Sequence, residues 1–179
     1  MRAFFSILIL ISVAVCSLTF PCYAELASSS SSAFDDISSF ENRHPAGLFS
    51  SIVTAHGQEM IMGQYRSFEI IPVTPSTTFT SDVPEIFVVF HTHQHDSEFR
   101  VSGRWLVEHA EEVPANFVLG TDSMILMTED ESGYVSIKRP DKGWPIGQYK
   151  VQMFTGTGDT DMSPIGTLRF SVVPAKAAS

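Results

Sequence analysis

Cysteine is nearly absent from this sequence. Its only two cysteines, Cys16 and Cys22, both lie close to the amino terminus. No disulfide can therefore form within the residues that follow Cys22, and a domain built from them depends on its hydrophobic core. The 155 residues beyond Ala24 (179 minus 24) are enough to bury such a core.

Basic side chains are also scarce. The sequence has 11 Lys and Arg against 20 Asp and Glu, a formal net charge of −9 with histidine neutral. Loss of Arg2 with the leader described below leaves 10 against 20, or −10. This excess of negative charge disfavours binding to nucleic acid and to anionic membrane surfaces. We therefore expect no nucleic acid partner.

The motifs of common enzyme classes are missing as well. There is no Gly-x-Ser-x-Gly, no P-loop and no His-Glu-x-x-His, and residues 156–158 lack the rest of a dinucleotide-binding fingerprint. No stretch longer than two turns has the 3.6-residue apolar period of a helix. The sequence thus predicts a non-catalytic domain built from strands.

The amino terminus is typical of a secretory signal peptide. Arg2 precedes an apolar run over residues 4–15, and Cys22 and Ala24 place small residues at positions −3 and −1 of a cleavage site. Residues 1–24 are therefore predicted to direct export to the periplasm, to the outer face of the inner membrane or to the medium. A retained anchor is the alternative, although the run is short for a membrane span. Lipidation of Cys22 fits poorly because Pro21 precedes it.

Residues 25–46 are predicted to form a flexible linker. The unbroken serine run at residues 28–32 cannot bury enough apolar surface to order itself. Phe34, Ile37 and Phe40 interrupt this polarity at a spacing of three. That spacing is compatible with one helical turn or with a short segment that docks on a partner.

Residues 47–174 are predicted to form an all-β domain, followed by a disordered tail at 175–179. Short alternating apolar segments are separated by Gly, Pro and acidic turns, most clearly in the turn and strand at residues 143–154. A turn is expected at residues 55–58. The spacing indicates about seven to nine strands in an antiparallel β-sandwich, with a closed barrel as the alternative.

Trp105 and the Gly-Gln-Tyr-Lys-Val stretch at residues 147–151 resemble those of the immunoglobulin/fibronectin III-like superfamily, especially bacterial exported accessory domains. The resemblance implies an immunoglobulin-like sandwich with Trp105 in its core and Tyr149 in a tyrosine corner. It also implies that Val151 and Val89 occupy the two positions that are Cys in antibody domains. The resemblance covers residues 48–173 and says little about function.

His91, His93 and His95 form the one cluster with an evident chemistry. Alternate residues of a strand project from one face, and imidazole is the commonest protein ligand of Zn²⁺ and Cu²⁺. The cluster predicts a Cu or Zn site, completed by a residue such as Asp96 or Glu98. The alternatives are a polar hairpin end or a pH-sensitive contact.

Together these features predict a non-catalytic accessory subunit of a larger periplasmic or envelope protein assembly. It would bind a protein partner through its Ser-rich arm or an exposed strand edge, and would meet a membrane only through that partner or an uncleaved leader. Trp144 is expected either to cap the core or to contact the partner. The alternative function is Cu or Zn binding and delivery by the histidine cluster, and no other cofactor is expected.

Overall fold

The computed structural model describes residues 40–62, 68–158 and 160–176. The predicted signal peptide and most of the predicted linker lie outside them. The described residues contain nine strands: β1 (Phe49–Met62), β2 (Phe68–Pro75), β3 (Thr78–Thr80), β4 (Glu85–Thr92), β5 (Phe99–Ala110), β6 (Val118–Leu126), β7 (Ser132–Lys138), β8 (Gly147–Gly156) and β9 (Ser163–Val173). None of their helical residues belongs to a helix long and apolar enough to cross a membrane.

The strands form two sheets. The four-stranded sheet has the order β2-β1-β4-β7, and the five-stranded sheet has the order β3-β9-β8-β5-β6. All pairs are antiparallel except β3 and β9, which run parallel. The predicted all-β class is confirmed, and the two sheets agree with a β-sandwich.

The main core lies between the two sheets. The period of two along each strand turns alternate apolar side chains toward it. On β4 these are Ile86, Val88 and Phe90, and from the five-stranded sheet Trp105 and Val151 face them. All five are at most 1% exposed. Burial of the apolar side chains of this main core stabilises the domain in place of disulfides.

Val89 was expected to face Val151 across this core. The structure corrects that expectation. Val89 is buried, but it packs with Ala55 and Ile70 in a second cluster on the other face of the four-stranded sheet. The inward position next to it is Val88.

Strand β1 is longer than the sequence predicts. The turn expected at residues 55–58 is wrong, because β1 continues through them to Met62. Its first half pairs with β4 as far as Ala55, opposite Phe87, and its second half pairs only with β2. Strand β1 therefore pairs with β4 in its first half and with β2 in its second half.

The second half of β1 folds back over the sheet. If β1 ran straight, Met60 would lie about 16 Å beyond Phe87. Its partner Ile70 instead donates its backbone N–H to Ser132 Oγ at 2.8 Å, at the opposite end of the sheet. The hairpin of β1 and β2 thus covers the outer face of the four-stranded sheet and encloses the second cluster.

The segment before β1 also belongs to the folded domain. Residues 40–42 form a helical turn, and Phe40 is buried against Phe154 with ring centroids 5.8 Å apart. Arg43 O accepts the backbone N–H of Thr167 at 2.7 Å. The part of the predicted linker from Phe40 to Ala46 is therefore packed against β8 and β9, because Phe40 finds an apolar partner there.

Candidate functional site

The three histidines of the predicted metal site do not converge. Strand β4 ends at Thr92, so His93 and His95 lie beyond the regular alternation on which the prediction rests. His91 Nδ1 lies 3.6 Å from Glu69 Oε1 of the folded-back hairpin, whereas His93 is exposed. Within the residues described, no group of three or more His, Cys, Asp or Glu side chains is placed to hold a metal ion.

The contacts of His95 also argue against a metal ligand. Its Nδ1 lies 2.9 Å from Ser97 O and its Nε2 lies 2.9 Å from Asp130 O. Both ring nitrogens therefore face carbonyl oxygens of the protein, which occupy the directions from which a metal ion would approach. The ring instead joins the β4–β5 loop to the β6–β7 turn.

The residues predicted for the core around Tyr149 do come together. Trp105 and Val151 are register partners on β5 and β8. The Tyr149 hydroxyl donates to Pro145 O at 2.5 Å, and its ring stacks on Phe170 with centroids 5.2 Å apart. Burial raises the pKa of Tyr149 to about 12. These contacts hold the core and leave no reactive group accessible.

Trp144 does not offer a surface for a partner. Its side chain is only 3% exposed, and its Nε1 donates to Val83 O at 2.9 Å. Its ring meets Tyr149 edge to face at 5.9 Å. Of the two roles expected for Trp144, the structure places it in that of a core cap.

A cavity of about 550 Å³ opens between β1 and β9. Its walls include Ile52 and Leu168, and its ionisable lining residues are His44 and Arg169. Arg169 is already paired with Glu108, with Nε to Oε1 at 2.9 Å. The lining, which belongs to the described residues, contains no carboxylate or cysteine, and its hydroxyl groups belong to Thr54, Ser76 and Thr77.

The end of the folded-back hairpin has the most conspicuous exposed surface. We call Met60, Ile61, Met62 and Phe68 the hairpin tip. Met62 is 74% exposed and Phe68, its register partner, is 66% exposed. The sequence does not indicate this surface, because the turn expected at residues 55–58 would end the first strand before Met60.

Strand β6 and the residues next to it carry a second, more scattered set of exposed apolar side chains. These are Phe117, Val118, Ile125 and Met127. Asp122 of β6 turns its carboxylate toward β7, where Oδ2 accepts the N–H of Ser136 at 2.8 Å. That contact satisfies one backbone donor at the outer edge of the four-stranded sheet and makes the edge less available for pairing.

Comparison of the sequence with models of known protein families and with curated proteins gives no match.

Proposed function

We propose that this protein is a non-catalytic exported binding module, an accessory subunit of a larger periplasmic or envelope protein assembly. The observation that carries the proposal is the hairpin tip. Two methionines, an isoleucine and a phenylalanine are exposed together at the end of a two-stranded ribbon. Clustered exposed side chains of this kind mark sites of protein interaction.

The chemistry of the tip suits a protein partner. Methionine and aromatic side chains are enriched in the buried centres of protein interfaces, and methionine adapts its shape to the opposing surface. Burying the four side chains on a partner would remove water from each of them, at about 1.5–3 kcal/mol per fully buried side chain.

The residues next to the hairpin tip are held against the four-stranded sheet. Ile70 is buried in the second cluster, and its N–H is held by Ser132 Oγ. Glu69 lies close enough to His91 for an ion pair when the imidazole is charged. A surface fixed in this way loses little conformational freedom on binding, which favours affinity.

The immunoglobulin-like topology is part of the proposal. Three features support it: the parallel pairing of β3 with β9, the Tyr149 hydroxyl bonded back to Pro145 O, and Trp105 beside Val151 in the core. Export is supported by the leader-like sequence at residues 1–24. Immunoglobulin-like sandwiches occur in many cell-surface domains, which agrees with a binding role.

The test is a comparison of partner capture by three forms of the protein from the envelope fraction of the producing cell. The first is the wild type, and the second carries Met62→Lys with Phe68→Glu at the tip. The third, Lys138→Glu, alters an exposed residue of β7 away from the tip. We expect the wild type and Lys138→Glu to recover the same defined complex and the tip variant to lose it.

Recovery of the same complex by the tip variant, or a lone monomer from every form, would overturn the proposal. The wild type and the tip variant are expected to unfold at similar denaturant concentrations, because substitution of exposed side chains usually changes stability by no more than about 0.5 kcal/mol. Lys138→Glu places a carboxylate opposite Glu85 and is expected to lower the free energy of unfolding by up to about 1 kcal/mol.

A further inference from the structure

The outer face of the five-stranded sheet is covered only in part by the described residues. Arg43 lies at the free edge of β9, where its carbonyl accepts the N–H of Thr167. Glu41 and Phe40 lie one strand further in, over β8. Read backward from Arg43, the chain therefore crosses the sheet from β9 to β8, and the next strands in that direction are β5 and β6.

The contacts made on β8 combine an acid with an aromatic ring. Glu41 Oε1 lies 3.1 Å from Lys150 Nζ and accepts Gln152 Nε2 at 3.2 Å. Phe40 packs on Phe154. Because the Lys150 side chain is only 5% exposed, Glu41 is a fitted partner for a buried cation and not a chance surface contact.

Strand β5 offers the same chemistry one strand further on. Arg104 is the register partner of Gln152 and points outward. It is exposed, and its guanidinium has no acidic partner among the described residues. On the neighbouring β6, Ile125 is 50% exposed on the same face. A segment that carries an acidic and an apolar residue would therefore fit over Arg104 and Ile125.

The sequence immediately before Phe40 carries those residue types. Residues 34–37 read Phe-Asp-Asp-Ile, and they lie outside the described part of the chain. Asp36 is four residues from Phe40, which spans about 6 Å as a helix or about 13 Å extended. Strands are about 4.8 Å apart, so β5 and β6 lie within this reach.

We propose that residues 34–37 dock on the outer face of the five-stranded sheet. Asp35 and Asp36 then face Arg104, and Ile37 with Phe34 covers Ile125. The segment before β1 then crosses β9, β8, β5 and β6 in turn, and we call it the strap. The serine run at residues 28–32 leaves the domain at the β6 edge.

Residues 34–37 of the same chain are a better occupant of this outer face than a separate acidic peptide. The covalent link to Phe40 gives them a local concentration on the order of millimolar, whatever the protein concentration. An external acidic segment is also repelled by the net charge of −9. This inference does not depend on the proposed function, because the strap and the hairpin tip lie on different sheets.

Amide hydrogen exchange of residues 34–39 in the full chain tests the strap. We expect these amides to exchange more slowly than those of the serine run. Arg104→Glu should speed their exchange by about fivefold, the factor equivalent to a surface ion pair of about 1 kcal/mol. Adding Asp35→Lys and Asp36→Lys to Arg104→Glu should restore the protection. Lys138→Glu, with the same charge change on the other sheet, should have no effect.

Cysteine cross-linking provides a second measurement that does not depend on charge. With Cys16 and Cys22 replaced by serine, Asp36→Cys and Thr121→Cys introduce one pair, because Thr121 is the register partner of Arg104 on β6. We expect an intramolecular disulfide on mild oxidation at low protein concentration. Linkage only between chains would assign the face to a second copy and overturn the proposal. Exchange of residues 34–39 that is as fast as that of the serine run would overturn it as well.

Discussion

Tyr149 shows how one side chain can fix several parts of the core. Its ring stacks on Phe170 of β9 and meets Trp144 of the preceding turn, and its hydroxyl holds Pro145 O. A turn that enters a strand at this point would otherwise leave a carbonyl without a partner. The residue therefore joins the turn before β8 to the two strands that follow.

Tyr149→Phe is expected to lower the free energy of unfolding by about 1 kcal/mol, because it removes the hydrogen bond to Pro145 O and keeps the ring packing. Urea unfolding of both proteins measures the difference. Tyr134→Phe is the matched control, since the Tyr134 hydroxyl makes no comparable bond within the described chain, and it should cost clearly less. Equal losses in the two variants would contradict this role for Tyr149.

Residue-level prediction succeeded where one face of a strand is buried and failed where both faces are. Trp105, Tyr149 and Val151 lie in strands whose apolar residues alternate, so their burial could be predicted. Val88 and Val89 are both apolar because the folded-back hairpin covers the outer face of β4. Nothing in the local sequence says which of the two faces the main core.

The histidines do not converge for a related reason. Alternation places His91, His93 and His95 on one face only while the strand continues, and β4 ends at Thr92. Glu69 and Asp130, which contact His91 and His95, are distant in sequence. Partners brought by tertiary folding could not be predicted from the cluster itself.

At the scale of elements, the β1–β2 hairpin departs most from the sequence prediction. Ala-His-Gly-Gln at residues 55–58 has the composition of a turn, but Ala55 pairs with both Pro75 and Phe87. The chain bends there without ending the strand. The prolines of β2 were more informative, since Pro72 and Pro75 lie in an edge strand, where a missing N–H does no harm.

Ser132→Ala tests what holds this hairpin against the sheet. The change leaves the buried N–H of Ile70 without its acceptor, so we expect a loss of about 1–3 kcal/mol in the free energy of unfolding and faster amide exchange at Ile70. Denaturant unfolding and hydrogen exchange measure the two effects. Ser123→Ala, at an exposed position of β6, should change stability by less than about 0.5 kcal/mol. Unchanged exchange at Ile70 in Ser132→Ala would show that the bond does not hold the hairpin.

At the scale of the whole molecule, the two sheets lie close together at Gly103 of β5. A Cβ atom added there would lie 2.9 Å from Val135 Cγ2 of the opposite sheet and 3.3 Å from Val151 Cγ1 of the neighbouring strand. Valine side chains have little freedom to turn away. The absence of a side chain at Gly103 therefore sets the spacing of the sandwich at this point.

Gly103→Ala is expected to reduce the free energy of unfolding by about 1–3 kcal/mol, because the added methyl group overfills the space between the sheets. Gly57→Ala is the matched control in another strand. Its added Cβ would meet Val73 Cβ at an ordinary 3.5 Å, so it should be neutral or stabilise by up to about 1 kcal/mol. Equilibrium denaturation distinguishes the two, and equal effects would contradict a close approach at Gly103.

The strand spacing in the sequence was enough to predict an all-β domain with two sheets. It could not predict that residues near each end of the domain meet. Phe40 and Arg43 contact Thr167, and β3 lies against β9. Such contacts join residues that are about 90 to 130 positions apart, and no local pattern announces them.

The position of β9 has a consequence for the time at which this chain can fold. Until β9 has been made, one edge of β8 and the short strand β3 lack their partner, and Arg43 O lacks the N–H of Thr167. Contacts between distant parts of a chain also form slowly. The native structure is therefore reached only after β9 has been synthesised.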